Sequence, residues 1–299
     1  MSILRYLTAT VFILITLAAG AFSQRSPKPA VKNILFALHD DGKTLEPIAF
    51  VGNGKLSEIG EEGSGPAAKQ FAAKYYRKGQ SYDLIFGGSV AGKVAVVKAM
   101  YPGECAGNMA SASPVQKPTP VLKGMVMALA TNARTTDRTP YRKAPSSAQR
   151  NEIELLVRAE FRKHGATTSE LRYHNLTALD INSDEKAELV GSYWIAPKKD
   201  ERQLLFFIAE PTANGKYSFT HSKYDRVTLD KMMDGAEMSH VDSGIAHELL
   251  LDMFDYDGDG VSEIFTIGKA FEGNNFYVYR KQNVKWVKVF DTYNYRCGF

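Results

Sequence analysis

The stretch Phe254-Asp255-Tyr256-Asp257-Gly258-Asp259-Gly260-Val261-Ser262-Glu263-Ile264 limits what this chain can become more than any other. Carboxylates at the first, third and fifth positions of a tight loop converge on one hard cation, and the carbonyl of the seventh residue and a later carboxylate complete its oxygen shell. Here those positions hold Asp255, Asp257 and Asp259, followed by the Val261 carbonyl and Glu263. Gly260 supplies the positive-φ turn that such a loop needs. Curled without a cation, two carboxylates about 5 Å apart repel by roughly 3 kcal/mol at an effective dielectric near 20. A curled loop lacking its ion is therefore expected to spring open. Spread out in water the same charges hardly interact, so a merely solvated acidic loop is the competing account. The glycines favour the curled form. Calcium is expected ahead of magnesium, because its coordination is more flexible and takes more oxygen ligands.

The flanks exclude a helix–loop–helix calcium site. That loop closes on a glutamate at its twelfth position, where this chain has Thr266. Glu248–Phe254 and Ile264–Gly268 are short, apolar and partly β-branched, so both read as strands. The same unit occurs earlier in the chain, where Asp180, Asn182, Asp184, the carbonyl of Lys186 and Glu188 take the matching positions. The likeness extends beyond the loops: Leu205–Ile208 is echoed by Phe276–Tyr279, and Lys216–Phe219 by Lys285–Lys288. Two copies of one supersecondary unit are expected. The earlier copy is degraded, with Glu185 where glycine is wanted and an amide in place of one carboxylate, and whether it holds a metal is left open. A non-glycine residue at positive φ costs roughly 1 kcal/mol or more.

Asp-x-Asp-Gly-Asp-Gly-x-x-Glu-Ile between strands resembles the calcium loop of FG-GAP or VCBS-type repeats, known from integrin α-subunit propellers and secreted bacterial proteins. Asp255, Asp257, Asp259, Gly260 and Glu263 carry the match in the second copy, and Asp180, Asn182, Asp184 and Glu188 in the first. The resemblance covers roughly residues 170–295. It implies loops that brace β-blades and perform no chemistry. A closed propeller needs at least four blades, and only two repeats are recognisable, so a full propeller is not expected.

Residues 1–23 read as a secretory signal peptide: Arg5, an apolar run from Leu7 to Ala21, then small residues suited to cleavage. An uncleaved anchor is the alternative, although the run is short for a spanning helix. A secreted or periplasmic protein follows. Its formal net charge of +4, which falls by one when Arg5 leaves, is too balanced to imply nucleic acid or an anionic membrane as partner. Cys105 and Cys297 in an exported chain suggest one disulfide, with two free buried thiols as the alternative.

Residues 31–130 are read as a small β-rich domain with one short helix near Pro66–Tyr76, and Asn53-Gly54 as a two-residue hairpin turn. Gly87–Lys93 fits a phosphate loop by pattern. Val94 stands where a magnesium-binding hydroxyl belongs, and β-like residues follow where the helix should, so a hairpin turn is the better account. Residues 131–145, polar and basic, are taken as a solvated linker and domain boundary. Ser146 and Gln149 form a capping box that opens a helix with Ile153, Leu156, Val157 and Phe161 on one stripe and Gly165 at its end. That helix is expected to cover one face of the repeat region, which runs over residues 146–299.

The fold class expected is thus mainly β (α+β), with an N-terminal β-rich domain and a C-terminal sheet region whose two strand–calcium loop–strand repeats are covered by one helix. Two functions remain. One is a non-catalytic binding or scaffold protein with structural calcium and a protein or glycan as its ligand. The other is a hydrolase with its site at the domain junction near His240, Asp242, His247 and Glu248. No zinc-protease spacing and no nucleophile elbow accompanies that cluster.

Overall fold

The computed structural model describes residues 31–60, 66–100, 108–115, 120–166, 170–231, 242, 245–270 and 273–295. The signal peptide expected at 1–23, both cysteines of the expected disulfide and His240 lie outside these residues.

The run Ile34-Leu35-Phe36-Ala37-Leu38 shows no polar alternation, the mark of a strand buried on both faces, and all of its residues are fully buried. It forms β1 (Asn33–His39). β2 (Thr44–Gly52), β3 (Lys55–Ser57), α1 (Ala67–Tyr75), β4 (Ser81–Phe86), β5 (Ser89–Met100), β6 (Met109–Pro114) and β7 (Ala128–Thr131) follow. The strands pair antiparallel in the order β1-β7-β4-β5-β6-β2, and β2 pairs back onto β1, closing a six-stranded barrel with β3 as an appendage. Closure leaves no free edge among these six strands. Phe36, Tyr82, Leu84, Val94 and Ala110 point inward and pack with Phe71, Tyr75 and Tyr76 from α1 and the residue after it. Both expected hairpin turns are present, with positive φ at Asn53-Gly54 and at Gly87-Gly88.

Two antiparallel meanders come next. The first contains β9 (Arg172–Leu179), β10 (Glu188–Lys198), β11 (Glu201–Pro211) and β12 (Tyr217–Thr228), with β8 (Arg142–Lys143) added alongside β9. The second contains β13 (His247–Phe254), β14 (Glu263–Ala270), β15 (Gly273–Gln282) and β16 (Lys285–Tyr295). The protein is mainly β, as the sequence indicates. Its layers stack face to face. The outer barrel residues Leu35, Ile48 and Leu129 pack on Leu249, Leu251 and Phe265 of the second meander. The other face of that meander, with Leu250, Met253 and Ile264, packs on Val190, Phe206 and Ile208 of the first. α2 (Ser147–Lys163) lays Ile153, Val157 and Phe161 on the far side, against Leu189, Tyr193 and Phe207. The capping box is complete: Ser146 Oγ accepts the Gln149 N–H at 3.3 Å, and Gln149 Oε1 accepts the Ser146 N–H at 2.9 Å.

Residues 131–145 are not simply solvated. Ala133 is buried, and the Arg142 side chain is only 7% exposed. Tyr141 N–H donates to the Gly87 carbonyl at 3.1 Å, which holds the segment against the barrel. Arg138 and Arg142 spend their donors on internal hydrogen bonds, while Arg134, Asp137 and Lys143 stay exposed.

Candidate metal centre

Each meander begins with a hairpin whose loop is one of the two acidic segments. Leu179 pairs with Glu188 across the first, and Phe254 with Glu263 across the second. The fourth and sixth residues of both loops have positive φ: Ser183 (59°) and Glu185 (65°) in the first, Gly258 (78°) and Gly260 (90°) in the second. The hydrogen bonds match as well. Asp180 Oδ2 accepts the Glu185 N–H at 3.2 Å, as Asp255 Oδ2 accepts that of Gly260 at 3.1 Å. Asn182 Oδ1 takes the Asp184 N–H at 3.2 Å, as Asp257 Oδ1 takes that of Asp259 at 3.2 Å. Asp184 Oδ1 and Asp259 Oδ1 accept the Lys186 and Val261 N–H groups at 2.9 and 2.8 Å. Glu188 and Glu263 reach back to the N–H groups of Ile181 and Tyr256 at 3.0 and 3.4 Å. The two loops share these bonds and differ in one: Asp180 Oδ1 accepts the Asp184 N–H at 3.1 Å, whereas Asp255 Oδ1 accepts the Gly258 N–H at 2.7 Å.

Chemically they differ. In the second loop Asp255, Asp257 and Glu263 bring carboxylate oxygens within 4.8 Å of one another, with Asp255 and Glu263 buried. Asp259 is exposed, and Val261 is half-buried beneath the loop. Arg280, on β15, lies against this group. Its Nε donates to Glu263 Oε1 at 2.9 Å, and its terminal nitrogen to Asp257 Oδ2 and, at 2.9 Å, to the Tyr256 hydroxyl. Even so, the Glu263 carboxyl is pushed up to about 8, first by burial and then by Asp257. In the first loop Asp184 and Lys186 are exposed, Asp180 and Asn182 half-buried and Glu188 buried. Burial pushes Glu188 up to about 7 against the pull of the Ile181 N–H.

The loops are tied to each other and to the barrel. Ser262 N–H donates to the Ile181 carbonyl at 3.0 Å. Arg138 donates to the carbonyls of Ile181 (3.1 Å) and Asp180 (2.7 Å) and to the hydroxyls of Ser183 (3.0 Å) and Ser262. A Cβ placed on Gly54, at the tip of the β2–β3 turn, would lie 3.3 Å from Asp257 Cβ. On β13 itself, just before the acidic loop, lies a second polar contact: the Gly87 and Gly88 N–H groups donate to the buried Asp252 carboxylate at 3.0 and 3.1 Å. The pseudo-phosphate loop thus holds an anion belonging to the chain itself. Neither Arg138, Arg142 nor Arg280 stands out in the sequence. Arg280 interrupts the apolar alternation of β15, but only the strand register brings it to the loop.

Among the described residues of the alternative, hydrolytic site, no one relay joins Asp242, His247 and Glu248. Asp242 is held by Arg202 at 2.7 and 2.8 Å. Glu248 accepts from Lys223 (3.1 Å), Thr266 (2.8 Å) and Tyr279 (2.6 Å). His247 packs edge-on against the His174 ring, 4.0 Å between centroids, and burial followed by His174 pushes it down to about 4. Its Nδ1 is buried without a hydrogen-bond partner. His247, Glu248, Lys223, Asp225 and Ser192 line one shallow groove where the meanders meet.

The oxygen donors of the second loop fit a hard divalent cation, since they are carboxylates and a carbonyl with no soft ligand among them. No family model, no curated protein and no solved structure matches the chain.

Proposed function

We propose that this is an exported, non-catalytic binding or scaffold protein of the FG-GAP/VCBS type, in which calcium braces the two hairpin loops and the ligand is a protein or glycan. One observation carries the metal assignment: Asp255, Asp257 and Glu263 meet within 4.8 Å in a loop whose positive-φ turns and most of whose hydrogen bonds recur in a second copy. In the second loop Asp255, Asp257, Asp259, the Val261 carbonyl and Glu263 would hold the ion. In the first, Asp180, Asn182, Asp184, the Lys186 carbonyl and Glu188 would do so. Calcium supplies charge neutralisation there, and the protein's share is to orient the donors.

Thermal unfolding tests the reading. Calcium should raise the midpoint relative to EDTA, magnesium should do so less, and Asp257→Ala should remove most of the difference. Identical curves with and without calcium would sink it. A second reading, a hydrolase working in the groove at His247, draws on the unpartnered Nδ1 at that concave junction. It would be favoured by a turnover that His247→Gln abolishes while the melting temperature holds.

A further inference from the structure

Building on the calcium reading, we propose that Arg280 is a tethered cation that occupies the second loop in competition with calcium. Its guanidinium engages two of the three clustered carboxylates, with Nε on Glu263 Oε1 at 2.9 Å and the terminal nitrogen on Asp257 Oδ2. A calcium ion needs six to eight oxygens at about 2.3–2.6 Å. If it collected Asp257 and Glu263 with Arg280 in place, two positive charges would face each other across one small cluster. That repulsion sets the two in competition for the same carboxylates.

The first loop provides an internal comparison. Ile264 pairs with Tyr279 as Leu189 pairs with Ala209, so Arg280 and Glu210 hold matching places one residue further along. Glu210 is acidic and already accepts from Lys281 at 2.8 Å and the Trp286 Nε1–H at 2.6 Å. The first loop therefore has no tethered cation from this position, and the second does. In the second loop the chain brings its own counter-charge, and calcium binds by exchange with it. Arg280 has an exit: its side chain is 30% exposed and lies over the Tyr256 ring, 5.2 Å from the centroid. Displacement would release the Tyr256 hydroxyl as well as both carboxylates. The loop would then respond to calcium only above a threshold set by the strength of the arginine contacts.

The test is calcium titration by calorimetry of the full chain carrying Asp180→Ala, which disables the first loop, with and without Arg280→Met. Arg280→Met should melt lower in EDTA yet bind calcium about tenfold tighter or more, because a hydrogen bond to a charged group is worth roughly that factor. Arg280→Lys should fall between. In the otherwise unchanged protein, the Arg280 Nε–H resonance should move on calcium saturation as its bond to Glu263 breaks. Binding that is equal or weaker in Arg280→Met would overturn the exchange and leave the calcium reading standing. Absence of calcium binding in either protein would remove both. If Arg280→Met does not fold, an Arg280 resonance that stays fixed at saturating calcium would overturn the exchange.

Discussion

Replacing Arg142 by methionine should cost about 3–5 kcal/mol, the range for breaking a buried ion pair by removing one partner. The Asp252 carboxylate is fully buried, and Arg142 meets it at 2.8 Å with only 7% of its own side chain exposed, so solvent screening does little. The same guanidinium nitrogen donates to the carbonyls of Met127 at 2.8 Å and Leu251 at 2.7 Å. Methionine keeps much of the stem's volume but leaves those carbonyls and the carboxylate without their donor. Asp252 keeps the N–H groups of Gly87, Gly88 and Met253, which places the loss nearer the lower end. At roughly 2–4 °C per kcal/mol for a chain of this size, the midpoint should drop by about 6–15 °C. Urea unfolding should show a lower midpoint with an unchanged slope, meaning that stability and not compactness has changed. Arg142→Met with Asp252→Asn should cost less than the sum of the two alone. Lys163→Met, which removes an exposed pair with Glu160, serves as the control and should move stability by less than about 1 kcal/mol. A loss for Arg142→Met no larger than that control would refute the buried-pair argument.

Other substitutions probe the packing and the loops. Gly191→Ala should destabilise by about 1–3 kcal/mol in the same urea assay, since its Cβ would lie 2.5 Å from Phe207 Cζ and 2.9 Å from Leu176 Cδ1; a neutral result would show that the ring has room to move. Glu185→Gly should stabilise by roughly 1 kcal/mol by relieving a left-handed backbone, and a loss of stability would mean that the Glu185 side chain contributes more than its φ costs. Burial pulls the His39 pKa down, but the Asp40 carboxylate 2.9 Å from its Nδ1 and the hydrogen bond between its Nε2 and Glu46 outweigh it and hold the imidazole above its ordinary value. Its contribution is therefore complete below about pH 6.5 and fades as pH rises through the higher folded value. The stability gap between wild type and His39→Gln should accordingly shrink from pH 5.5 to 8.5, and a constant gap would refute this.

Local signals were the legible ones. The capping box at Ser146, the turns at Asn53-Gly54 and Gly87-Gly88 and the hairpin placement of both acidic loops depend on a few neighbouring residues, and the structure has each of them. Barrel closure was not legible, because it rests on β1 pairing with β7, far away in the chain, and an apolar run does not say which strand it will meet. The arginines were hidden for a similar reason. Arg138 and Arg142 sit in a stretch as polar as any exposed loop, and burying them requires partners such as Asp252 and the Ile181 carbonyl that only the tertiary fold supplies. Arg280 reaches Asp257 and Glu263 across a strand pairing. The loop's clustered carboxylates could be read from spacing, but the counter-charge beside them could not.

Both meanders bury their apolar faces against other layers of the same chain. Along β13, Leu249, Leu251 and Phe254 face the barrel while Leu250 and Met253 face the first meander, so this strand is apolar on both sides. The barrel's outer wall thus covers the stack on one side, and α2 closes it on the other through Ile153, Val157 and Phe161. The edge strands β12 and β16 carry many charged and polar residues, and of their side chains only Trp286 is buried, which disfavours pairing with other chains. The acidic loops lie where these layers meet. Ser262 and Arg138 bind the second loop to the first, and Gly54 of the barrel rests against Asp257. A cation held at Asp255, Asp257 and Glu263 would therefore bear on three layers at once, and its loss would loosen their joint and not merely one hairpin.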